Sequence, residues 1–466
     1  MAAGPQPNIQ IQADPGEWNK AFGPNVFTLY NAGSGTSFNI FYFEIWNYDG
    51  SEKLATMRQN KNLYGVGHFD VQKILASNVE PQRGLEATSE LAVAPDEVLE
   101  YTVKGGYITA SGGIVITFTG STSYKVTMGR KPFNELTWDV SDYISVYNYS
   151  ATEAHDIDYP ADWLTDWNNE TTKAALTGTV PSVYLAESVY TKALVRKIRR
   201  HEQFTLSAIN EMSFADALAD NRPLGALRVI SYDAAGTQLD NITIDNILGN
   251  GGGPNYVICT NTDVEGQYIA ITAQVGPDML GLDEDTAYYY AWFAPKGNTI
   301  LGCLTLADPS TNIYRFDIDE GECNDFTPIQ LSWMNSYGFR DYFTFQKRND
   351  NQISVNREEY YELPGTWNAN DFTINEYDRG RRVFTQSAEE TWTLRTGYLT
   401  DLEMQYLKNL ILSADVNYHE VQANNDDWYA CTLQTNRWIE RTYRKDKLFQ
   451  LEVTIKVSNN TTTQRG

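Results

Sequence analysis

The chain has 466 residues, 42% hydrophobic and 21% charged, which predicts two to four folded domains and excludes a wholly disordered protein. The formal net charge of -24 argues against a surface built to bind nucleic acid, because phosphate binding needs an excess of lysine and arginine. Aromatic residues make up 13% and favour strands and large contact surfaces over helix bundles.

Strand patterns dominate the chain. Residues Ile114–Thr119 and Tyr124–Met128 are short runs rich in β-branched and aromatic residues. From Phe449 to Val457, apolar and polar residues alternate, so one face of a strand packs on a core and the other faces water. Many short strands separated by Gly, Asn and Asp predict a mainly β, multidomain protein of antiparallel β-sandwiches or barrels with few short helices.

Three helices are predicted. The clearest covers residues 401–414 as an amphipathic helix on the C-terminal sheet, and it begins with a capping box between Thr400 and Glu403. A shorter helix is expected to start at Asp70, with Asp70 as its N-cap. A third is expected from Ser213 to Asp220.

Composition divides the chain into three predicted domains. Residues 1–170 form an N-terminal β-sandwich, in which two sheets are expected to join near residues 81–95. Residues 171–325 form a middle β domain that follows a polar linker at 166–181. Residues 326–466 form a C-terminal β-sandwich with one amphipathic helix, interpreted as the assembly domain.

Charge separates the last domain from the others. Residues 326–466 contain 16 basic and 19 acidic side chains, a net of -3, which leaves 20 basic and 41 acidic, a net of -21, for residues 1–325. We interpret this difference as a division of labour between an acidic body that faces solvent or a lumen and a nearly neutral, aromatic domain for assembly.

Motif searches predict no catalytic, cofactor-binding or metal-binding residues and therefore no enzyme. The glycine-rich segment Gly249–Pro254 lacks the features of a phosphate loop and is interpreted as a hairpin tip. The acidic segment Asp317–Glu322 has its glycine at the wrong position for a calcium loop. We also expect no N-terminal targeting segment, and the sequence contains no run long and apolar enough for a membrane span.

Basic residues cluster at three places. The strongest cluster is Arg196–Arg200, and the other two are Arg379–Arg382 and residues 441–447. These side chains could form ion pairs with an acidic neighbouring subunit or line a channel that carries DNA, and the overall acidity favours the first interpretation. The residues of the strongest cluster that we take as candidates for assembly are Arg196, Lys197, Arg199 and Arg200.

The segment Leu331–Phe345 is the most distinctive, because its aromatic residues alternate on either side of a glycine. It predicts a strand, a turn and a second strand. Its aromatic side chains either pack in the core of the C-terminal domain or form a contact surface between subunits. The candidate assembly residues are Trp333, Asn335, Gly338, Asp341, Phe343 and Phe345.

This W-x-N-x-x-G-x-x-D-x-F-x-F segment resembles a pattern in virion tail proteins of crAss-like and related tailed phages of Bacteroidetes. The resemblance extends to several other segments, although at 337–340 the family more often repeats glycine. The similar segments are Pro24–Phe27, Phe69–Ile74, Phe316–Asp319 with Cys323, Thr400–Leu412, Trp428–Cys431 and 447–451.

The resemblance implies a structural virion protein, made in the bacterial cytoplasm and located in the tail. Such a protein forms a homo-oligomeric ring of six or twelve copies in the tail barrel, next to other tail and portal-associated proteins. DNA passes through the lumen during ejection without being bound specifically, because an acidic wall repels phosphate.

Two alternatives stay open. A receptor- or glycan-binding tail protein would use exposed aromatic residues such as Trp163, Trp167 and Trp367 to stack on sugar rings. A carbohydrate-active enzyme on the same β architecture would need a pair of carboxylates, and the 60 acidic residues do not single one out.

Overall fold

The protein is mainly β, as the sequence predicts, and the described residues form 29 strands and two helices. The computed structural model describes residues 6–34, 38–81, 91–94, 97–120, 122–131, 138–140, 143, 146–148, 156–159, 161–167, 173–175, 192–212, 222–245, 267–296, 310–319, 326–367, 370–378, 380–423, 427–438 and 450–458.

The elements up to residue 320 are as follows. The helix is α1 (Gln72–Asn78), and the strands are β1 (Ile9–Ala13), β2 (Trp18–Phe22), β3 (Val26–Asn31), β4 (Ile40–Asn47), β5 (Lys53–Asn60), β6 (Val66–Asp70), β7 (Leu91–Ala94), β8 (Val98–Ile108), β9 (Ile114–Thr119), β10 (Tyr124–Arg130), β11 (Val146–Asn148), β12 (Asp156–Tyr159), β13 (Lys173–Ala175), β14 (Lys192–Ile198), β15 (Thr205–Met212), β16 (Arg222–Tyr232), β17 (Gln238–Asp245), β18 (Gln267–Gln274), β19 (Tyr288–Lys296) and β20 (Tyr314–Ile318).

The elements after residue 320 are one helix and nine strands. They are α2 (Asp401–Leu412), β21 (Ile329–Met334), β22 (Arg340–Phe345), β23 (Asp350–Tyr361), β24 (Thr366–Trp367), β25 (Phe372–Thr373), β26 (Arg381–Arg395), β27 (Val416–Glu420), β28 (Tyr429–Leu433) and β29 (Glu452–Val457).

The chain divides into two compact units. The first comprises Met1–Glu320 together with Met334–Asp341, and the second comprises Gly321–Trp333 and Tyr342–Gly466. The change after residue 320 lies close to the boundary expected near 325. Within the first unit, β7 pairs with β18, which joins the segments expected to form separate domains. The division into three domains stays a prediction.

The N-terminal part of the first unit is a sandwich of two sheets. The three-stranded sheet has the order β1-β3-β6, and the six-stranded sheet has the order β2-β10-β8-β4-β5 with β9 beside β8. Phe27 from the first sheet lies 5.1 Å from both Phe43 and Tyr124 of the second, measured between ring centroids. Alternating aromatic residues therefore build the core between the sheets.

Helix α1 starts later than the sequence predicts. Asp70 is the last residue of β6, and the N-cap is Val71, which makes no side-chain cap hydrogen bond. The Asp70 carboxylate still accepts a hydrogen bond from the backbone N–H of Gln72 at 3.1 Å. The acceptor was identified correctly, but its position relative to the helix was wrong because β6 extends through it. The helix expected at Ser213–Asp220 lies outside the described residues.

Three further sheets belong to the first unit. They have the orders β13-β14-β20-β19-β16-β17, β15-β18-β7 and β11-β12. The pairs β14–β20 and, in the sandwich, β2–β10 are parallel, whereas the other described pairs are antiparallel. Strand β13 lies within the segment interpreted as a linker. The core of the largest of these sheets is a stack of aromatic rings, in which Phe316 lies 4.9 Å from Tyr289 and 4.7 Å from Tyr314.

The second unit is built on a seven-stranded sheet with the order β22-β21-β27-β28-β29-β26-β23, and β24 and β25 form a separate pair. Helix α2 has the predicted capping box, because Thr400 and Glu403 bond to each other's backbone N–H groups. Its Tyr406 ring packs against Trp333 of β21 at 5.0 Å. The helix therefore lies on the sheet as expected, and it ends at Leu412 rather than at 414.

Strand β29 confirms the alternation seen in the sequence, because Val453, Ile455 and Val457 are buried while the residues between them are more exposed. The strands predicted at 114–119 and 124–128 are also present, as β9 and β10. Neither helix in the described part of the chain is long and apolar enough to cross a membrane.

Candidate functional site

The turn between β21 and β22, residues Met334–Asp341, belongs to the first compact unit. Asn335 organises it. Its side-chain oxygen accepts the backbone N–H groups of Tyr337 and Phe339 at 2.9 and 3.0 Å. Its side-chain nitrogen donates to the carbonyl of Leu164 at 2.8 Å. One buried amide therefore closes the turn and attaches it to a segment 171 residues earlier.

Two glycines bring the turn against β10. Gly338 has φ of +96°, and a Cβ atom there would lie 2.7 Å from the backbone nitrogen of Gly129. A Cβ atom on Gly129 would lie 2.7 Å from the carbonyl oxygen of Ser336, to which Arg130 donates its backbone N–H at 2.9 Å. This backbone contact leaves no room for a side chain on either residue.

Two acidic residues meet behind the turn. The Asp341 carboxylate accepts hydrogen bonds from the Thr165 hydroxyl and from the backbone N–H of Asp166, the latter at 3.0 Å. The Asp166 carboxylate accepts the hydroxyl and the backbone N–H of Ser336 at 2.5 and 3.1 Å. Burial, and then the nearby charge of Asp166, raises the pKa of Asp341 to about 7. Burial likewise raises the pKa of Asp166.

A buried lysine lies beside this acid pair. The Lys20 ammonium is 4.3 Å from the ring centroid of Tyr337 and 5.1 Å from that of Trp138. Its positive charge opposes the rise in the pKa of Asp166. The hydroxyl of Tyr143 donates to that of Tyr337 at 2.7 Å, and burial raises the pKa of Tyr337. The Lys20 ammonium therefore makes cation–π contacts with the rings of Tyr337 and Trp138.

This cluster is a structural contact that holds two segments of the chain together. Asp341 is buried, so the pair does not present two accessible carboxylates for glycoside cleavage. Among the described residues, no group of three or more His, Cys, Asp and Glu side chains is placed to hold a metal ion. What the pair does is join residues 165–166 to the turn through hydrogen bonds on both carboxylates.

The six candidate residues of the aromatic segment fall into two groups. Asn335, Gly338 and Asp341 meet in the turn. Trp333 and Phe345 are fully buried in the second unit, and Phe343, which is partly buried, lies 5.3 Å from Phe345. Because most of these side chains pack inside the chain, a contribution to assembly would act through the shape of the hairpin. Their assembly role stays a prediction.

The basic cluster makes its contacts within the chain. Arg196 lies 4.8 Å from the Phe204 ring centroid, Lys197 pairs with Asp319 at 2.7 Å, and Arg199 is buried. Arg200 donates to backbone carbonyls of the loop before β19, at 3.0 Å for Asp283 and 2.7 Å for Glu284. Through these contacts the basic cluster holds the loop before β19 close to the end of β14. A role in contacts between subunits stays a prediction.

The aromatic residues of the glycan-binding alternative are less accessible than expected. Trp163 is fully buried, and its indole N–H donates to the carbonyl of Asn312 at 2.6 Å. Trp167 is partly buried, and the Arg196 guanidinium lies 5.3 Å from the centroid of the Trp167 ring. The expectation that Trp163 is exposed is wrong, because its indole fills the core. The side chain of Trp367, the segment Gly249–Pro254 and residues 441–447 lie outside the described part of the chain.

One exposed feature of the described chain is not singled out by the sequence patterns. Strands β23 and β26 form a long two-stranded ribbon, called the ribbon below, which pairs from Asp350 opposite Thr393 to Tyr361 opposite Arg381. Strand β29 pairs only with Thr391–Arg395 of β26, so the rest of the ribbon extends past that strand. Every residue of β23 after Asp350 is exposed.

The ribbon and its tip, the residues 362–380 that connect the two strands, expose many large apolar side chains. Of the nineteen large hydrophobic side chains that are exposed in the described chain, nine lie between residues 350 and 390. An isolated two-stranded ribbon is marginally stable in water, and exposed apolar groups at this density mark interaction surfaces. The six most exposed are Ile353, Tyr361, Leu363, Ile374, Tyr377 and Phe384, of which Tyr361 is 77% and Tyr377 79% exposed.

A signal for the ribbon is present in the sequence. Residues 352–356 alternate polar and apolar side chains, and the aromatic pair Tyr360–Tyr361 follows at the end of the same strand. The same alternation occurs in any half-buried strand. Only the structure shows that these residues of β23 are exposed and that its outer edge pairs with no other described strand. No family model matches the chain, and no curated protein matches its sequence.

Proposed function

We propose that this chain is a structural protein of the tail of a bacteriophage virion, where identical copies assemble into a closed ring. The assembly proposal is supported by one observation above all: the ribbon and its tip expose nine large apolar side chains in the described chain. The assignment to a phage tail rests on the resemblance of residues 333–345 and of the other segments named with them.

The proposed mechanism is mechanical. Copies of an asymmetric chain close into a ring when two different surfaces of each copy meet at a fixed rotation. The lumen of such a ring carries DNA during ejection, and the net charge of -21 over residues 1–325 disfavours adhesion of phosphate to its wall.

Neither alternative function gains support from a specific observation. The glycan-binding alternative loses Trp163, which is buried, and Trp167 lies under Arg196. The enzyme alternative would need accessible carboxylates, whereas the acid pair described above includes the buried Asp341. The structural role is therefore the function that the molecule supports best.

The experiment is electron microscopy of the purified full chain combined with analytical ultracentrifugation. We expect closed rings of six or twelve copies, and negligible affinity for duplex DNA at physiological salt. An obligate trimer that binds sugars on a glycan array would contradict the proposal and favour the receptor-binding alternative.

A further inference from the structure

We propose that the ribbons of neighbouring copies pair edge to edge, with β23 of one copy antiparallel to β26 of the next. This inference rests on the proposed function and deepens it, because it names the surface by which the ring closes. The occupant of the ribbon edge is a second copy of this chain.

The ribbon has two open edges. Strand β23 is the last strand in the order of the seven-stranded sheet, so in the described chain its outer edge faces no other strand. Between Arg381 and Thr385, β26 has β23 as its only strand neighbour among the described residues. Open backbone edges are templates for pairing with another strand. The two edges belong to different strands, so pairing one with the other is heterologous, and such a contact forms a ring when the rotation between copies closes.

Charge near the tip of the ribbon favours this pairing. Glu359 lies near the end of β23 and Glu362 directly follows it, whereas β26 begins with two arginines. Within one ribbon, Arg381 pairs with Glu359 at 3.2 Å, and Arg382 pairs with Glu362 at 2.7 Å. Rotation about a ring axis keeps corresponding residues of all copies at one height. The glutamates of one copy therefore face the arginines of the next as they face their own.

The low net charge near the ribbon tip favours a second copy at this place over the acidic parts of the chain. Two copies with a net charge of -24 each repel over most of their surface. Residues 360–388 contain four acidic and three basic side chains, a net of -1. The ribbon tip is thus an apolar region of low net charge on an acidic chain, where another copy meets less of that repulsion.

Cysteine cross-linking tests the pairing directly. Within one ribbon Asn356 of β23 lies directly opposite Ser387 of β26, and the proposed pairing places Asn356 of one copy opposite Ser387 of the next. Full-length chains with Asn356→Cys and with Ser387→Cys are co-expressed and oxidised. We expect a covalent dimer in the mixture, and in neither variant alone above the level of the wild-type chain, which controls for native cysteines.

Each other outcome overturns a defined part of the proposal. A dimer in Asn356→Cys alone would indicate two-fold pairing of β23 edges and overturn ribbon-to-ribbon closure. Intact rings without any cross-link would overturn the ribbon inference and leave the proposed function standing. A chain that forms no closed oligomer would overturn both.

A charge-swapped chain gives a second, independent test. Glu359→Arg and Glu362→Arg are combined with Arg381→Glu and Arg382→Glu, which reverses both ion pairs within the ribbon. The swapped chain alone should assemble like the wild type. When the two are refolded together, contacts between unlike copies place like charges together, and we expect mixed rings to be about tenfold rarer than random in native mass spectrometry. Random mixing would overturn the inference.

Discussion

The carboxylate of Asp341 accepts the backbone N–H of Asp166 at 3.0 Å, although both residues are acidic and lie 175 positions apart. The contact ties the turn between β21 and β22 to the segment after Trp163. Each carboxylate also accepts a hydroxyl, from Thr165 and from Ser336. These bonds offset part of the cost of burying two carboxyl groups together.

The Asp341→Asn variant should gain stability relative to the wild type as pH rises. Asp341 has a pKa of about 7 in the folded chain against 3.8 as the ordinary value, so folding favours its protonated form. Its contribution to stability is complete below pH 4 and is lost as pH rises through 7. Between pH 5 and 7.5 we expect the difference in unfolding free energy to shift by on the order of 2 kcal/mol towards the variant. Urea unfolding at each pH measures it, and a flat difference would contradict the proposed burial of this proton.

The Gly338→Ala variant should be strongly destabilised. It combines a positive φ with a Cβ atom 2.7 Å from the backbone nitrogen of Gly129. Gly112 is the matched control, because its φ is +85° and a Cβ atom there has nothing within 4 Å. We expect Gly112→Ala to cost about 1 kcal/mol from backbone strain and Gly338→Ala roughly 3 kcal/mol or more. Equal losses in thermal unfolding would show that the close approach to β10 does not matter.

The Arg200→Ala variant should loosen the loop before β19. Its guanidinium donates to the carbonyls of Asp283, Glu284 and Thr286 at 3.0, 2.7 and 3.3 Å. The net contribution of a hydrogen bond from a charged donor to stability is about 1.5–3 kcal/mol. Hydrogen exchange at the Thr286 N–H, which donates to the Asp283 carbonyl, should accelerate at least tenfold. Lys197→Ala is the control, since its ion pair with Asp319 is exposed and worth about 1 kcal/mol at most. Similar exchange in both variants would argue against this anchoring.

Local patterns predicted local structure well. The Thr400–Glu403 capping box and the alternation in β29 depend on neighbours within a few residues, and both are present. The hairpin around Gly338 was predicted for the same reason. Helix α1 was misplaced because the extension of β6 through Asp70 depends on pairing with Val26, 44 positions earlier.

Contacts between distant segments could not be predicted. Asp166 was assigned to a polar linker, because nothing in its neighbourhood shows that Ser336 and Asp341 will surround it. Similarly, the arginines of the basic cluster look like a surface patch until the loop at 283–286 is placed against Arg200. The exposure of the ribbon depends on the length over which β29 pairs with β26, which is a property of the sheet.

The paired change Ile353→Ser and Tyr361→Ser should weaken assembly without destabilising the monomer. Both side chains are exposed, and the contact of Tyr361 with Arg381 lies at the surface, so their removal should change the unfolding free energy by about 1 kcal/mol or less. If the ribbon is the contact between copies, the loss of two apolar groups should lower the association constant at least tenfold in sedimentation equilibrium. Tyr64→Ser is the control, because Tyr64 is 90% exposed and lies far along the chain from the ribbon. Equal association by both variants would place the assembly surface elsewhere.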